Sequence, residues 1–308
     1  MLPDDVLLDI FDFYRMDYSH YPWRWHTLAH VCPRWRQIIF ASPRRLDLQF
    51  LCTPRTRVRE LLDFLPTSMP IMIRNSFDAP PPFPTSSIVD GHQVITAIEQ
   101  RDRVWCIHLE DVPSSLLEKM GTTTKETFPT LTYIRLWAGD EIAPVLPNSF
   151  LGGSAPLLET FWLRGIPFPE VPNLLLSTSD LVHLHLEKIP DSGYISSEAM
   201  VTGLITCTKL ETLIIEFLSQ RPRLDLTSQP TSSLSRVSLP ALTCFSFEGN
   251  GGYFDNFVPR IESPLLALDD NTRHNINISV NRYVLYEASL TSSGFSFRYY
   301  SRPVPAEE

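Results

Sequence analysis

The sequence predicts an α/β chain in two parts: a short all-α motif of three helices, then an irregular solenoid of strand-and-return repeats whose strands form a parallel sheet. Three observations carry this. Apolar residues recur at helical spacing through roughly the first 43 residues, an apolar triplet recurs six times between residues 104 and 247, and the charge balance changes between them. Residues 1–60 hold nine Lys/Arg against seven Asp/Glu, whereas the remainder holds 17 against 28, which separates a chemically distinct N-terminal segment. The expected organisation is a helical motif over 1–45, the solenoid over 46–278, and a cap or frayed end over 279–308.

The first helix is written by Val6, Leu7, Ile10, Phe11 and Tyr14, which fall on one helical stripe. Pro3 costs nothing at a helix start, where its missing N–H has no intrahelical partner, and Asp4 and Asp5 sit where the helix dipole favours carboxylates. After the polar and aromatic stretch Met16 to Trp25, a second apolar segment gathers Leu28, Val31 and Cys32. Pro33 restarts the chain, Trp35, Ile38 and Ile39 recur at i, i+3 and i+4, and Ser42-Pro43 stops the third helix. Three short helices are a small core, so this unit needs a partner or the rest of the chain to cover its apolar faces.

The run Leu2-Pro3-Asp4-Asp5-Val6-Leu7-Leu8-Asp9-Ile10-Phe11, with Leu28, Val31-Cys32 and Trp35-Arg36-Gln37-Ile38-Ile39 behind it, resembles an F-box. With Trp25-His26-Thr27-Leu28, Ser42-Pro43-Arg44-Arg45-Leu46 and Cys52-Thr53-Pro54-Arg55-Thr56, residues 22–60 further resemble a large group of fungal F-box-like proteins. The long insert Met16 to Trp25 departs from most F-boxes, which make a short turn there. The resemblance implies docking on a Skp-type adaptor subunit, and through it a cullin, by Leu2, Pro3, Val6, Leu7, Ile10, Leu28, Val31, Cys32, Trp35, Arg36 and Ile38. The rest of the chain would then bind a protein substrate. The alternative is that the three helices only cap the solenoid, in a protein-interaction scaffold with no ligase role.

The repeat is an apolar triplet at i, i+3 and i+5: Val104/Ile107/Leu109, Leu131/Ile134/Leu136, Leu158/Phe161/Leu163, Leu181/Leu184/Leu186, Leu210/Leu213/Ile215 and Leu242/Phe245/Phe247. Leu46/Leu48, Ile71/Ile73 and Ile276/Ile278 supply only the alternating pair. Successive pairs lie 23 to 36 residues apart, a stretched leucine-rich-repeat spacing. Return helices are expected on Val58/Leu61/Leu62/Leu65, Val94/Ile95/Ile98 and Ala199/Met200/Leu204. Leucine-rich repeats place Asn or Cys at i+8, but here Val112, Gly139, Ile166, Ile189, Leu218 and Asn250 stand there, so the solenoid is irregular. An ordinary α/β domain with parallel strands would give a similar strand spacing. Two insertions, Asp78 to Ser87 and Gln220 to Ser238, are expected as extended loops, and Gly249-Asn250-Gly251-Gly252 as a turn.

If i+3 and i+5 face the core, then i+2, i+4 and i+6 face the other way, because side chains alternate along a strand. Those columns place Tyr133, Arg135, Trp137, Trp162 and Arg164 on adjacent strands, residue types enriched at binding hot spots, with His183 and His185 beside them. This is the candidate substrate-binding surface, unless another segment of the chain packs on it. His183 and His185 lack a third ligand at fixed spacing and are expected to hold no metal.

Composition sets the outer limits. With 308 residues, 43% hydrophobic and 20% charged, the chain is folded, and no apolar run approaches a membrane span. The N-terminus lacks a signal-peptide layout, so a cytoplasmic or nuclear location is expected, with no membrane partner. A net charge of -9 argues against nucleic acid as a partner. Five widely spaced cysteines without a C-x-x-C pair read as buried thiols. No nucleophile, metalloprotease or phosphate-loop motif occurs, so the chain is expected to be no enzyme, to use no cofactor and to have no catalytic residues.

Overall fold

The computed structural model describes residues 2–16, 25–43, 45–46, 48–53, 56–75, 91–168, 173–218 and 235–266, together with five later strands by backbone only. It is mixed α/β and divides into two compact units, residues 1–109 and 110–308. No helix among the described residues is long and apolar enough to cross a membrane.

The first unit opens with α1 (Asp4–Met16), α2 (Trp25–Ala29) and α3 (Pro33–Ala41). Helix α1 turns Leu7, Leu8 and Phe11 inward, and Ile38 and Ile39 of α3 are buried with them. The Phe11 and Trp35 rings meet edge-on at 4.8 Å. Helix α3 starts where Cys32 Sγ accepts the Trp35 backbone N–H at 3.5 Å, and it ends at Ser42 as the Ser-Pro pair foretold. Arg34 ties the two helices by donating to Asp4 and to the Leu2 carbonyl, both at 2.6 Å. Strands β1 (Phe50–Cys52), β2 (Ile71–Arg74) and β3 (Val104–Val112) then pair in parallel, with α4 (Val58–Leu62) and α5 (Gly91–Ile98) on the connections.

One expectation is corrected here. Leu46/Leu48 is not the first strand, which lies at Phe50–Cys52 in register with Ile71–Ile73. Leu46 and Leu48 are buried, but their backbone N–H groups donate to Ser42 and Pro43 carbonyls at the end of α3 and so cannot join a ladder. The insertion Asp78 to Ser87 lies outside the described residues, as do the interior of the Met16 to Trp25 insert and residues 220–234.

In the second unit α6 (Ser114–Thr123) precedes β4 (Tyr133–Ala138), β5 (Thr160–Arg164), α7 (Asn173–Ser177), β6 (His183–Ile189), α8 (Ser197–Gly203), β7 (Thr212–Phe217), β8 (Val237–Ser238), β9 (Cys244–Gly249), α9 (Gly251–Phe257), β10 (Ile261–Glu262) and β11 (Ile276–Val280). The main sheet runs β4-β5-β6-β7-β9-β11, every ladder parallel, so the strands follow chain order. Beyond β11 the described strands form short antiparallel pairs. β8 pairs with β10 apart from the sheet.

The triplet is the register of this sheet. Ile134, Phe161, Leu184, Leu213 and Phe245 are Cα partners across five strands, and the i+5 residues Leu136, Leu163, Leu186, Ile215 and Phe247 align beside them. All ten are at most 1% exposed, each contributing roughly 1.5–3 kcal/mol by burial. The departure at i+8 has a backbone cause. Asp111, Gly165 and Lys188, each at i+7, have φ of 52°, 68° and 51°. That left-handed residue lies inside β3 and β6 and just after β5, and it turns the next side chain back inward, so Val112, Ile166 and Ile189 are buried where an Asn would hydrogen-bond. Asn250, the one conforming residue, instead accepts from the Gly252 N–H at 2.8 Å and caps α9, a helix where a turn was expected.

Candidate functional site

Two surfaces qualify, one in each unit. On α1 a second apolar stripe faces away from the core. Val6, Ile10 and Phe13 fall at i, i+4 and i+7 and are 40%, 45% and 75% exposed, with Leu2 at 51% just before the helix. Val31, after α2, is 59% exposed. Of the residues assigned to adaptor docking, Leu2, Pro3, Val6, Ile10, Val31 and Arg36 lie at the surface, whereas Leu28, Cys32 and Trp35 are half-buried. Leu7 and Ile38 are in the core and hold the helices together. Cys32 and Trp35 shape the α3 N-terminus, and Arg36 Nε donates to the Ala29 carbonyl at 3.0 Å. Phe13 is not among the residues expected from the sequence, although its spacing from Val6 and Ile10 is the signal that places it here.

The second surface is the sheet face opposite the core. Register decides who meets whom: Arg135, Trp162 and His185 form one row across β4, β5 and β6, and Trp137, Arg164 and Glu187 form the next. Cation and aromatic therefore alternate both along and across the strands. The Arg135 guanidinium lies 4.2 Å from the Trp137 ring centroid and 3.9 Å from that of Trp162, and Arg164 lies 5.0 Å from Trp137. The two indoles meet edge-on at 6.0 Å, and Trp162 is 4.6 Å from His185. Tyr133 and His183 stand in a third row with Thr160, and the His183 ring is 6.5 Å from His185. The seven residues predicted for the surface thus share one face, five of them in a contiguous cluster.

Counter-charges complete it. Glu110 is 3.6 Å from Arg135, and Glu187 is 3.9 Å from Arg164 and 3.8 Å from His185 Nδ1. The His185 imidazole and, after it, Arg164 hold the Glu187 carboxyl below its usual range, against the opposing effect of burial. Glu216 is pushed the other way, by burial first and then by Glu248 and Glu187. These four glutamates all occupy the i+6 column, so the signal lay in that column. Arg135 Nε and Trp137 Nε1 are buried atoms with no hydrogen-bond partner among the described residues, whereas His185 Nδ1 and Trp162 Nε1, also buried, act on the Glu187 carboxylate from beyond a short hydrogen bond. Among those residues no three His, Cys, Asp or Glu side chains converge as a metal ion would need.

No family model matches the chain, and no curated protein or solved structure matches it either.

Proposed function

We propose that the chain is the substrate-recognition adaptor of a cullin-RING ubiquitin ligase of the Skp-cullin-F-box type. The helical motif docks on a Skp-type subunit, and the repeat region, an irregular leucine-rich-repeat-like solenoid, presents its sheet face to a protein target. The observation that carries this is the double-sided α1: one apolar stripe makes the core, while Leu2, Val6, Ile10 and Phe13 leave a second open for a partner. The motif resemblance over residues 2–39 assigns that partner its identity. The chain itself makes and breaks no bonds; it works by raising the effective concentration of a target beside the conjugating enzyme.

The test is binding of the purified full chain to a Skp-type adaptor, comparing wild type with Ile10→Ala/Phe13→Ala. Burying these two side chains at an interface contributes about 2–3 kcal/mol, so the variant should bind roughly 30- to 150-fold more weakly with its circular dichroism unchanged. Folded wild type that does not bind leaves the helices as a cap, and the chain is then a protein-interaction scaffold without a ligase role.

A further inference from the structure

The open apolar stripe of the helical motif begins before helix α1 does. Leu2 precedes Val6 by the four residues of one turn, Ile10 and Phe13 follow at helical spacing, and all four are exposed. The helical ladder starts later, with the Leu7 N–H donating to the Pro3 carbonyl at 3.2 Å. Helix formation therefore sets Val6, Ile10 and Phe13 in place and leaves Leu2 outside. One side chain supplies what the ladder does not. Arg34 Nη2 donates to the Leu2 carbonyl and to Asp4 Oδ1, both at 2.6 Å, so a single nitrogen joins the backbone of the stripe's first residue to the first residue of the helix.

Arg34 is itself fixed. It lies in the first turn of α3, behind Pro33 and the Cys32 cap, and its neighbour Trp35 meets Phe11 of α1 at 4.8 Å. The start of α3 is thereby registered against α1. Arg45 is the contrast. It pairs with Asp9 at 2.6 Å and Asp5 at 3.7 Å, side chains 73% and 90% exposed, and among the described residues it bonds carboxylates alone.

We propose that Arg34 is a positioning residue for docking, holding Leu2 in line with Val6 and Ile10 before the partner arrives. The proposal rests on the reading of α1 as the adaptor-docking helix and adds to it a residue that the motif resemblance does not assign. Arg34 acts through Leu2 and not by contact with the partner. Without the tie, Leu2 has to be ordered as the partner binds, and fixing one residue's backbone costs roughly five- to thirtyfold in affinity.

The test measures binding of the full chain to a purified Skp-type subunit by isothermal titration calorimetry. Wild type is compared with Arg34→Met, Leu2→Ala, the two combined, and Arg45→Met. Arg34→Met should bind roughly five- to thirtyfold more weakly. In the Leu2→Ala background the same substitution should change binding less than about twofold, because the side chain it positions is gone. Arg45→Met removes the same charge beside α1 and should also stay within about twofold of wild type. Equal losses in Arg34→Met and Arg45→Met reduce the effect to charge and overturn the proposal. A loss from Arg34→Met that persists undiminished in the Leu2→Ala background makes Arg34 a support of the whole motif, through folding or packing, and overturns it as well. So does an Arg34→Met chain that binds like wild type. In these three outcomes wild type binds and docking stands. Folded wild type that does not bind refutes the docking reading and the proposal together.

Discussion

Helix α1 gives the sharpest test because two side chains one turn apart are assigned opposite jobs. Leu7 is 4% exposed and packs in the core, so Leu7→Ala removes its buried methyl groups and leaves a cavity, a loss of about 2–5 kcal/mol. Ile10 is 45% exposed. Ile10→Ala forfeits roughly half of a full burial value of ~1.5–3 kcal/mol and recovers ~0.4 kcal/mol of helix propensity, so its net cost stays under about 1 kcal/mol. Hydrogen exchange of the peptide covering residues 4–16 in the full chain reads this locally, where ~1.4 kcal/mol is a tenfold change in protection. Leu7→Ala should open α1 by at least that factor, and Ile10→Ala should not. Binding to a Skp-type subunit should fall for Ile10→Ala all the same. Equal loss of protection in both variants would place Ile10 in the core and refute the double-sided helix.

Four further outcomes are expected. Gly193→Ala should lower Tm by several degrees, because a Cβ there would sit 2.4 Å from Pro167 Cα and 2.7 Å from Phe168 N, while Gly203→Ala, 3.4 Å from Leu175 Cδ1 inside α8, should be neutral or stabilising in the same melt. At φ +68°, with Ala138 Cβ no closer than 3.5 Å, Gly165→Ala should cost only the backbone term of about 1–2 kcal/mol in urea denaturation, and Lys188→Gly should gain part of it back. Glu216 has its carboxyl raised above the ordinary 4.5, so its ionisation opposes folding above that raised value and the opposition fades as pH falls toward 4.5. Glu216→Gln should therefore raise the urea midpoint at pH 8 and narrow its gain at pH 4.5; Glu187, lowered from 4.5, stabilises above that value and loses its contribution as pH falls through its depressed one, so Glu187→Gln should lower the pH 8 midpoint. Iodoacetamide on the native chain at pH 8 should label the half-exposed Cys32 and Cys244 but spare Cys52 and Cys106, whose thiols burial pushes up to about 12, and the buried Cys207.

The strands were the legible part of this fold, because burial on one side of a sheet forces a period of two and a parallel ladder repeats it in register. That is why Leu131, Ile134 and Leu136 align with four later triplets on spacing alone, and why the residues between them could be set on one face. Helices were read where an apolar stripe was long, as in α1 and α3. Helix α6 was missed although Leu116, Leu117 and Met120 make a stripe; its start is capped from a distant loop, the Ser114 N–H donating to Asp140 Oδ2 at 2.6 Å, a signal no local window contains. Helix α9 hid behind glycines that look like a turn. The left-handed residues at i+7 were equally silent, since Asp111 and Lys188 are not glycine, and only the apolar i+8 positions hinted that the chain doubles back.

That doubling back adjoins the charged column of the opposite face on three of the strands. A left-handed residue at i+7 directly follows the i+6 side chain on β3, β5 and β6. Of the carboxylates in that column, Glu110 and Glu187 are only 23% and 16% exposed, and each stands beside an arginine, Arg135 and Arg164. Farther along the face, the i+2 and i+4 columns of β4 to β9 hold one permanently charged side chain, Arg135, at 20% exposure. Its guanidinium has lost most of its water, and two indole faces with Glu110 replace it. The aromatic pair is thus the housing that lets a cation stand inside the face.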